Sequence, residues 1–256
     1  HAIVHKLSQS KRVSKLYCAP GNAGTAQLAE NVAIRVSEIE RLAQFAIENS
    51  IDLTVVGPEL PLLEGLVDCF EELNLPIFGP NKAAATIEGS KTFAKDMMQK
   101  YHIPTAKYQV FTDSREALAY VRQEGAPIVI KADGLAAGKG VVVAQTLEEA
   151  ETAVIEAMDK KVFGDAGDQV VIEECLVGQE VSLMAFVDGA NFSPMVISQD
   201  HKAIFNGDKG PNTGGMGAYS PVPQVPHTVI DQAVETIIKP MADAFQQEGI
   251  TYKGVL

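Results

Sequence analysis

The 256-residue sequence has no apolar run near the roughly 20 residues that a membrane span needs, and no charged-then-apolar leader opens it. A protein neither secreted nor anchored is expected. Its three cysteines, Cys18, Cys69 and Cys175, stand far apart without a C-x-x-C pair, so no disulfide framework is readable. Free buried thiols in the cytoplasm are the expectation. Positive charge is scarce as well. Lys and Arg number 21 against 33 Asp and Glu, a formal net charge of -12, and no basic patch offsets it. Such a surface repels nucleic-acid phosphates and anionic membranes, and neither partner is expected. Internal repeats and low-complexity tracts are missing too.

What is there is an ordinary globular balance, 46% hydrophobic and 21% charged. The length exceeds the usual single domain of about 100 to 200 residues, so two to three smaller cores are expected. The opening, His1 to Leu7, reads as the inside of an amphipathic helix, and an apolar strand begins at Lys253 to Leu256. Both ends read as cut.

Leu16 to Ala19, Ile51 to Val56 and Pro76 to Phe78 read as strands between helical stretches, a parallel α/β rhythm. Ser37-Glu38-Ile39-Glu40 predicts a capping box opening a helix that runs to about Asn49. A second unit begins near Pro80, with a helix over Ser90 to Tyr101 and a turn at Ile103-Pro104. The pattern then predicts strands over Tyr108 to Phe111, Ile128 to Lys131 and Val141 to Ala144. Helices over Ser114 to Gln123 and Leu147 to Met158 alternate with them, capped by Asp113 and Thr146. This is a small two-layer lid over about 104–168. Strands at Val170 to Glu173, Val181 to Val187 and Pro194 to Ile197 follow, then a glycine-rich loop. Last comes a helix over Thr228 to Gln247 that Pro240 should kink.

The strongest chemical signal is the run Ile128-Val129-Ile130-Lys131-Ala132-Asp133-Gly134-Leu135-Ala136-Ala137-Gly138-Lys139-Gly140-Val141. A lysine ends one strand, a glycine turn follows, and another strand begins. Glycines let backbone N–H groups approach anionic oxygens, and Lys131 and Lys139 supply charge, so this reads as a phosphate clamp. A P-loop fits poorly, because Gly140 stands where that motif needs Ser or Thr. Taken alone, the turn is equally a glycine hairpin with two solvated lysines. Upstream, Lys91 and Lys95 lie one helical turn apart and can face one cleft, or be a solvated face. Downstream, Val171 to Ser182 leaves a strand through Glu173 and Glu174 and re-enters one after Glu180. That crossing suits a purine and a ribose, or is an ordinary strand connection.

The order of these elements resembles the ATP-grasp superfamily. That resemblance implies an ATP-grasp fold preceded by a Rossmann-like parallel α/β domain, an α/β class with an α+β lid. Residues 1–79 would form the first domain and 80–256 the second. ATP would lie between lid and body, with Lys91 and Lys131 on phosphates and Gly134, Gly138, Lys139 and Gly140 closing over them. Glu174 and Leu176 would hold adenine, with Glu173 in the same binding set, and Glu180 would bind ribose. Four further stretches, Pro20 to Thr25, Val56 to Leu62, Gly79 to Ala85, and Asp200 to Lys202 leading to Gly210 to Tyr219, are similar to the phosphoribosylamine-glycine ligase family.

The likeness covers essentially the whole chain. It implies ATP-dependent ligation of glycine to 5-phosphoribosylamine through a glycyl phosphate, in purine synthesis. Asn22, Gly24, Thr25, Pro58 and Glu59, at strand ends of an open α/β domain, suit the sugar phosphate. The loop carrying Asn212, Thr213, Gly214, Gly215 and Met216 exposes N–H groups for an anion, or is a plain glycine turn. Lys131 and Lys139 would stabilise transferring phosphate, and Asp200 would take a polar role beside them; no general base is assigned. His5 and His201 lack a partner at ligand spacing and read as structural. The family's Mg2+ or Mn2+ ligands lie beyond Leu256 and its opening glycine loop before His1. No metal ligand is assigned here, and the isolated piece is expected to be weak or inactive. Another ATP-grasp carboxylate-amine ligase or carboxylase, and a nucleotide-binding fragment without catalysis, stay open as alternatives.

Overall fold

The structure, a computed structural model, describes residues 1–134, 140–207 and 209–256, except for the Pro211 side chain. It divides into two units, His1–Ala85 and Thr86–Leu256. The first runs through α1 (Ala2–Ser8), β1 (Tyr17–Cys18), β2 (Glu30–Asn31), α2 (Ile39–Glu48), β3 (Thr54–Val55), α3 (Glu59–Leu63), α4 (Leu66–Glu72) and β4 (Ile77–Phe78). Both strand pairs are parallel, β1 with β2 and β3 with β4, as the alternating pattern predicts. Helical spacing puts Ala43 and Ala46 of α2 against Leu66 and Phe70 of α4, and these four make the buried core.

The expected capping box does not form. Helix α2 starts at Ile39 with Glu38 at its N-cap position and no side-chain cap. The Glu38 carboxylate instead accepts the Arg35 N–H at 2.8 Å and the Arg41 guanidinium at 2.5 Å. The Arg35 amide and then Arg41 hold its pKa down at about 2. A tight acid–amide turn has displaced the cap that Ser37 offered.

Helix α5 (Lys82–Gly89) carries the chain across the boundary. The second unit continues with α6 (Lys91–Lys100), β5 (Tyr108–Phe111), α7 (Ser114–Glu124), β6 (Ile128–Ala132), β7 (Val141–Ala144), α8 (Leu147–Val154) and β8 (Val170–Glu174). After these come β9 (Ala185–Asp188), β10 (Asn191–Pro194), β11 (Gln199–Phe205), β12 (Lys209–Tyr219), α9 (His227–Ala233), α10 (Lys239–Gln247) and β13 (Lys253–Val255). Asp113 and Thr146 do cap their helices, accepting from the Arg115 and Glu149 amides. Helix α8 widens into a π-turn over Ile155–Asp159. The expected long helix around Pro240 is α9, a π-turn over Val234–Ile238, and α10. Lys239 N–H reaches back to Val234, just before the proline that cannot donate.

Strands β5, β8, β6 and β7 pair antiparallel in that order. Because side chains alternate along a strand, Ile128, Ile130, Val170 and Ile172 share one face. That face packs on Ala117 and Val121 of α7 and Ala150, Ala153 and Val154 of α8. The opposite face carries Lys131, Glu173 and Tyr108, with Glu173 in register with Val129 on one side and Tyr108 on the other.

Strands β10, β9 and β13 form a second antiparallel sheet, and β11 pairs with β12. The stretch expected as an open glycine-rich loop is therefore strand: Asn212 lies opposite Ala203 and Gly217 opposite His201, with register shifts between. Of the expected strand from Val181, only Ala185 onward forms, Ser182 making a single bridge to Ser198. Among the described residues no helix is long and apolar enough to cross a membrane.

Ile130 is 2% exposed on the packed face and Val143 44% exposed on β7. Ile130→Ala should lower unfolding free energy by about 2–5 kcal/mol through the cavity it leaves. Val143→Thr should change it by about 0.5 kcal/mol or less, and urea denaturation followed by circular dichroism separates the two.

Candidate functional site

The charged face of the four-stranded sheet meets the start of α6, and one carboxylate ties them. Ser90 caps α6 by accepting the Phe93 N–H at 3.1 Å and donates its hydroxyl to Asp133 at 3.2 Å. Asp133 Oδ1 accepts the Lys91 N–H at 2.6 Å and the Thr92 N–H at 3.2 Å. The Asp133 amide donates to Gln169 O at 3.0 Å, and Gln169 Nε2 donates to Thr92 Oγ1 at 2.7 Å. The positive end of α6, which would attract an anion, is thus met by the protein's own carboxylate. The Lys91 ammonium donates to Gly134 O at 2.9 Å, where the glycine-rich turn begins. Burial pushes the Lys91 pKa down, against the pull of Asp133, and the neighbouring Lys131 charge adds to the fall.

One turn along α6, Lys95 points into the sheet. Its Nζ stands 3.3 Å from Glu173 Oε2, while Lys131 Nζ approaches the same oxygen at 2.9 Å. Lys95 also donates to Thr105 Oγ1 at 2.6 Å and Ala106 O at 3.4 Å, with its ammonium 5.2 Å from the Tyr108 ring centroid. Lys95 and Glu173 are 7% and 6% exposed, whereas the Lys131 side chain keeps 27%. Burial lowers the Lys95 pKa, with Glu173 opposing. Glu173 Oε1 is buried without a hydrogen-bond partner. Two cations around one anion leave an excess positive charge whose accessible part is Lys131. Such an ammonium, partly removed from water, suits a phosphate oxygen.

Lys91, Lys131, Gly134 and Glu173 are thereby brought into one cluster, while Gly138 and Lys139 lie outside the described residues. Gly140 lies at its edge, its carbonyl accepting the Ala132 N–H at 2.8 Å. Glu174 turns away, accepting the Lys107 N–H at 2.7 Å, and Leu176 is 70% exposed. Glu180 and Asp200 gather elsewhere, each 3.8 Å from the Lys202 ammonium. Beside them Gln199 donates to Glu180 O at 2.7 Å and accepts from the Tyr219 hydroxyl. Asn212, Thr213, Gly214, Gly215 and Met216 lie on β12 next to β11. Thr213 donates to Lys202 O at 2.9 Å and accepts the Gly215 N–H at 3.0 Å.

In the first unit, Asn22 Oδ1 takes the Gly24 and Thr25 N–H groups at 2.9 and 3.0 Å. Thr25 is 1% exposed and bonded to Asn22 and Asn31, so its hydroxyl holds the turn. Pro58 and Glu59 open α3. Sequence reasoning quoted Asp133 without giving it a role and passed over Ser90, Thr92, Gln169 and Thr105. The readable signal was an acid at a strand end together with a serine N-cap, but their pairing spans more than forty residues.

Asp133→Ala strips the acceptor from two α6 amides and should cost about 0.5–2 kcal/mol of stability, measurable by urea denaturation. The lysines should also titrate in order. Lys91 should lose its proton below the ordinary 10.5, and Lys15 and Lys107, held by Tyr17 with Glu30 and by Glu124, above it. An anion held by Lys91 is therefore released as pH rises, before the surface lysines titrate. Carbon-13 shifts of the lysine Cε groups across alkaline pH read this order directly.

Two family models and many curated relatives match this chain. Residues 1–88 match the phosphoribosylglycinamide synthetase N domain, and residues 89–256 the ATP-grasp (A) domain of the same synthetase. The chain is 54% identical over 256 residues to the phosphoribosylamine–glycine ligase of Caldanaerobacter subterraneus subsp. tengcongensis, covering 100% of this chain and 61% of that protein. With the phosphoribosylamine–glycine ligase of Halalkalibacterium halodurans the identity is 56%, over 100% of this chain and 60% of the other. The crystal structure of the phosphoribosylamine–glycine ligase of Thermotoga maritima superposes with a TM-score of 0.80 at 31% identity, covering 98% of this chain and 60% of that one. The chain spans about 60% of the length of the curated relatives it matches. With both family domains matched end to end in order, the chain belongs to the phosphoribosylglycinamide synthetase family, an ATP-grasp domain preceded by its N domain.

Proposed function

We propose that the protein of which this chain forms part joins glycine to 5-phosphoribosylamine at the expense of ATP. A glycine carboxylate oxygen attacks the γ-phosphorus and ADP leaves, giving a glycyl phosphate. The amine nitrogen of phosphoribosylamine then attacks the glycyl carbonyl carbon, and the C–O bond to phosphate breaks. Glycinamide ribonucleotide and inorganic phosphate are the products. The observation that carries this reading is the partly exposed Lys131 ammonium, braced by buried Glu173 at the mouth of the glycine-rich turn.

On this reading Lys91 and Lys131, with Lys139 beyond the described residues, stabilise phosphate charge. Gly134, Gly138 and Gly140 let the backbone approach it closely. Glu174, Leu176 and Glu180 bind the nucleoside, and Glu173 acts in the same binding set from behind Lys131. Asn22, Gly24, Pro58 and Glu59 take the sugar phosphate, with buried Thr25 holding the turn that presents them. Asn212, Thr213, Gly214, Gly215 and Met216 take a substrate anion, with Asp200 polar beside them. Closure of a lid over about 104–168 keeps the acyl phosphate from water. Work in the cytoplasm suits the three free thiols. A divalent cation, Mg2+ or Mn2+, would neutralise charge between the β- and γ-phosphates. Among the described residues no group of three or more His, Cys, Asp or Glu is clustered to hold it.

The test uses the full-length protein with ATP, Mg2+, glycine and phosphoribosylamine. ADP release that depends on both substrates supports the reading, and absence of turnover by folded protein overturns it. Hydrogen bonds to charged groups contribute about 1.5–3 kcal/mol, so Lys131→Ala should weaken ATP binding about 10- to 100-fold in calorimetric titration.

A further inference from the structure

We propose that Lys95 is a positioning residue. It binds no ligand itself but offsets the charge of Glu173, leaving the Lys131 ammonium free to hold an incoming phosphate. The phosphate rests on the function proposed above; the arrangement of the three side chains does not.

The donor count comes first. An ammonium has three N–H bonds, and Lys95 Nζ has three acceptors around it: Thr105 Oγ1, Glu173 Oε2 and Ala106 O. At 7% exposure, with the Tyr108 ring alongside, it has no donor to offer a ligand. Lys95 therefore differs from Lys131, although both touch the same oxygen.

The charge count comes second. Glu173 and Lys131 alone would be a neutral pair, and in a partly dry site the ammonium would stay bound to its carboxylate. Because Lys95 competes for Oε2, the carboxylate is shared and the cluster holds one net positive charge. Nearby, the Asp133 charge acts on the Lys91 ammonium, while Glu174, exposed and so screened by water, accepts the Lys107 backbone N–H and the Lys107 ammonium pairs with Glu124. Of the two lysines on Glu173, the one left open to solvent is Lys131, since Lys95 is buried.

The third element is a tether. Thr105 and Ala106 lie directly before β5, so the Lys95 ammonium also fixes the entry of the chain into the four-stranded sheet against α6. A neutral side chain of similar length would fill the space without the charge.

The experiment compares full-length native protein with Lys95→Met, Lys95→Arg and the double variant Lys95→Met/Glu173→Gln. One readout needs no nucleotide: the rate at which acetic anhydride labels Lys131, followed by mass spectrometry. Lys95→Met should slow it about tenfold, because Lys131 becomes the sole partner of Glu173. The double variant, which has no carboxylate to hold it, and Lys95→Arg, which keeps the charge, should both restore it. ATP affinity and the KM for ATP should follow the same order, with the KM for glycine unchanged. A Lys131 rate that Lys95→Met leaves unchanged, or that the double variant does not recover, overturns the proposal, since lost packing alone would not be repaired by removing a second polar group. If the labelling order holds while no variant binds ATP, the lysine arrangement stands and the ligase reading falls. If Lys95→Met fails to fold, the labelling rate and ATP affinity of the double variant against Glu173→Gln decide: equal values support the proposal, and a further loss without Lys95 overturns it.

Discussion

A carboxylate buried in the face of a sheet is tolerable only with its charge matched, and the Glu173 pairing constrains much of the second unit. Lys131 must reach it from β6 and Lys95 from α6, and Tyr108 must flank it from β5. A register slip of one residue in β6 would turn Lys131 into the face packed by α7 and α8 and expose Ile130. Strand register and site geometry are therefore one specification. The aliphatic alternation that builds the core also decides which way the lysine points.

Asp133 plays the complementary part at the other end of the site. A helix N-terminus is ordinarily an anion site, but in α6 the carboxylate of Asp133 already satisfies the Lys91 and Thr92 amides. On the proposed reading, an external anion is then left to side-chain ammonium groups rather than to these two amides. Ammonium groups on long side chains can follow a phosphate as it moves, whereas backbone amides of a capped helix cannot. For a group that is to be transferred, adjustable donors suit better than fixed ones.

Much of this was legible in the sequence where the signal is local. The strands at Ile128 to Lys131 and Val170 to Glu173, the Asp113 and Thr146 caps and the parallel β3–β4 pair follow from patterns a few residues long, whereas β2 gave no such signal. The misses are long-range or competitive. Glu38 offered a better local partner to Arg35 than Ser37 did to the helix. Glycines 214, 215 and 217 read as a loop because nothing local shows that β11 will pair with them. Asp133 and Ser90 meet only after the fold has joined segments more than forty residues apart.

The net charge of -12 sets the last constraint. An acidic protein that takes a polyanion must overcome its own field, yet surface charges are screened beyond a Debye length of about 8–10 Å at physiological salt. Within that radius only nearby groups count, and there two lysines share the one buried carboxylate of Glu173. The acidic surface then acts as a filter rather than a barrier. It discourages large polyanions, which meet many carboxylates at once, while a small phosphate compound meets chiefly the lysines. On the proposed reading, local excess of cation over a shared, buried anion is enough for an anion site on a chain whose net charge is negative.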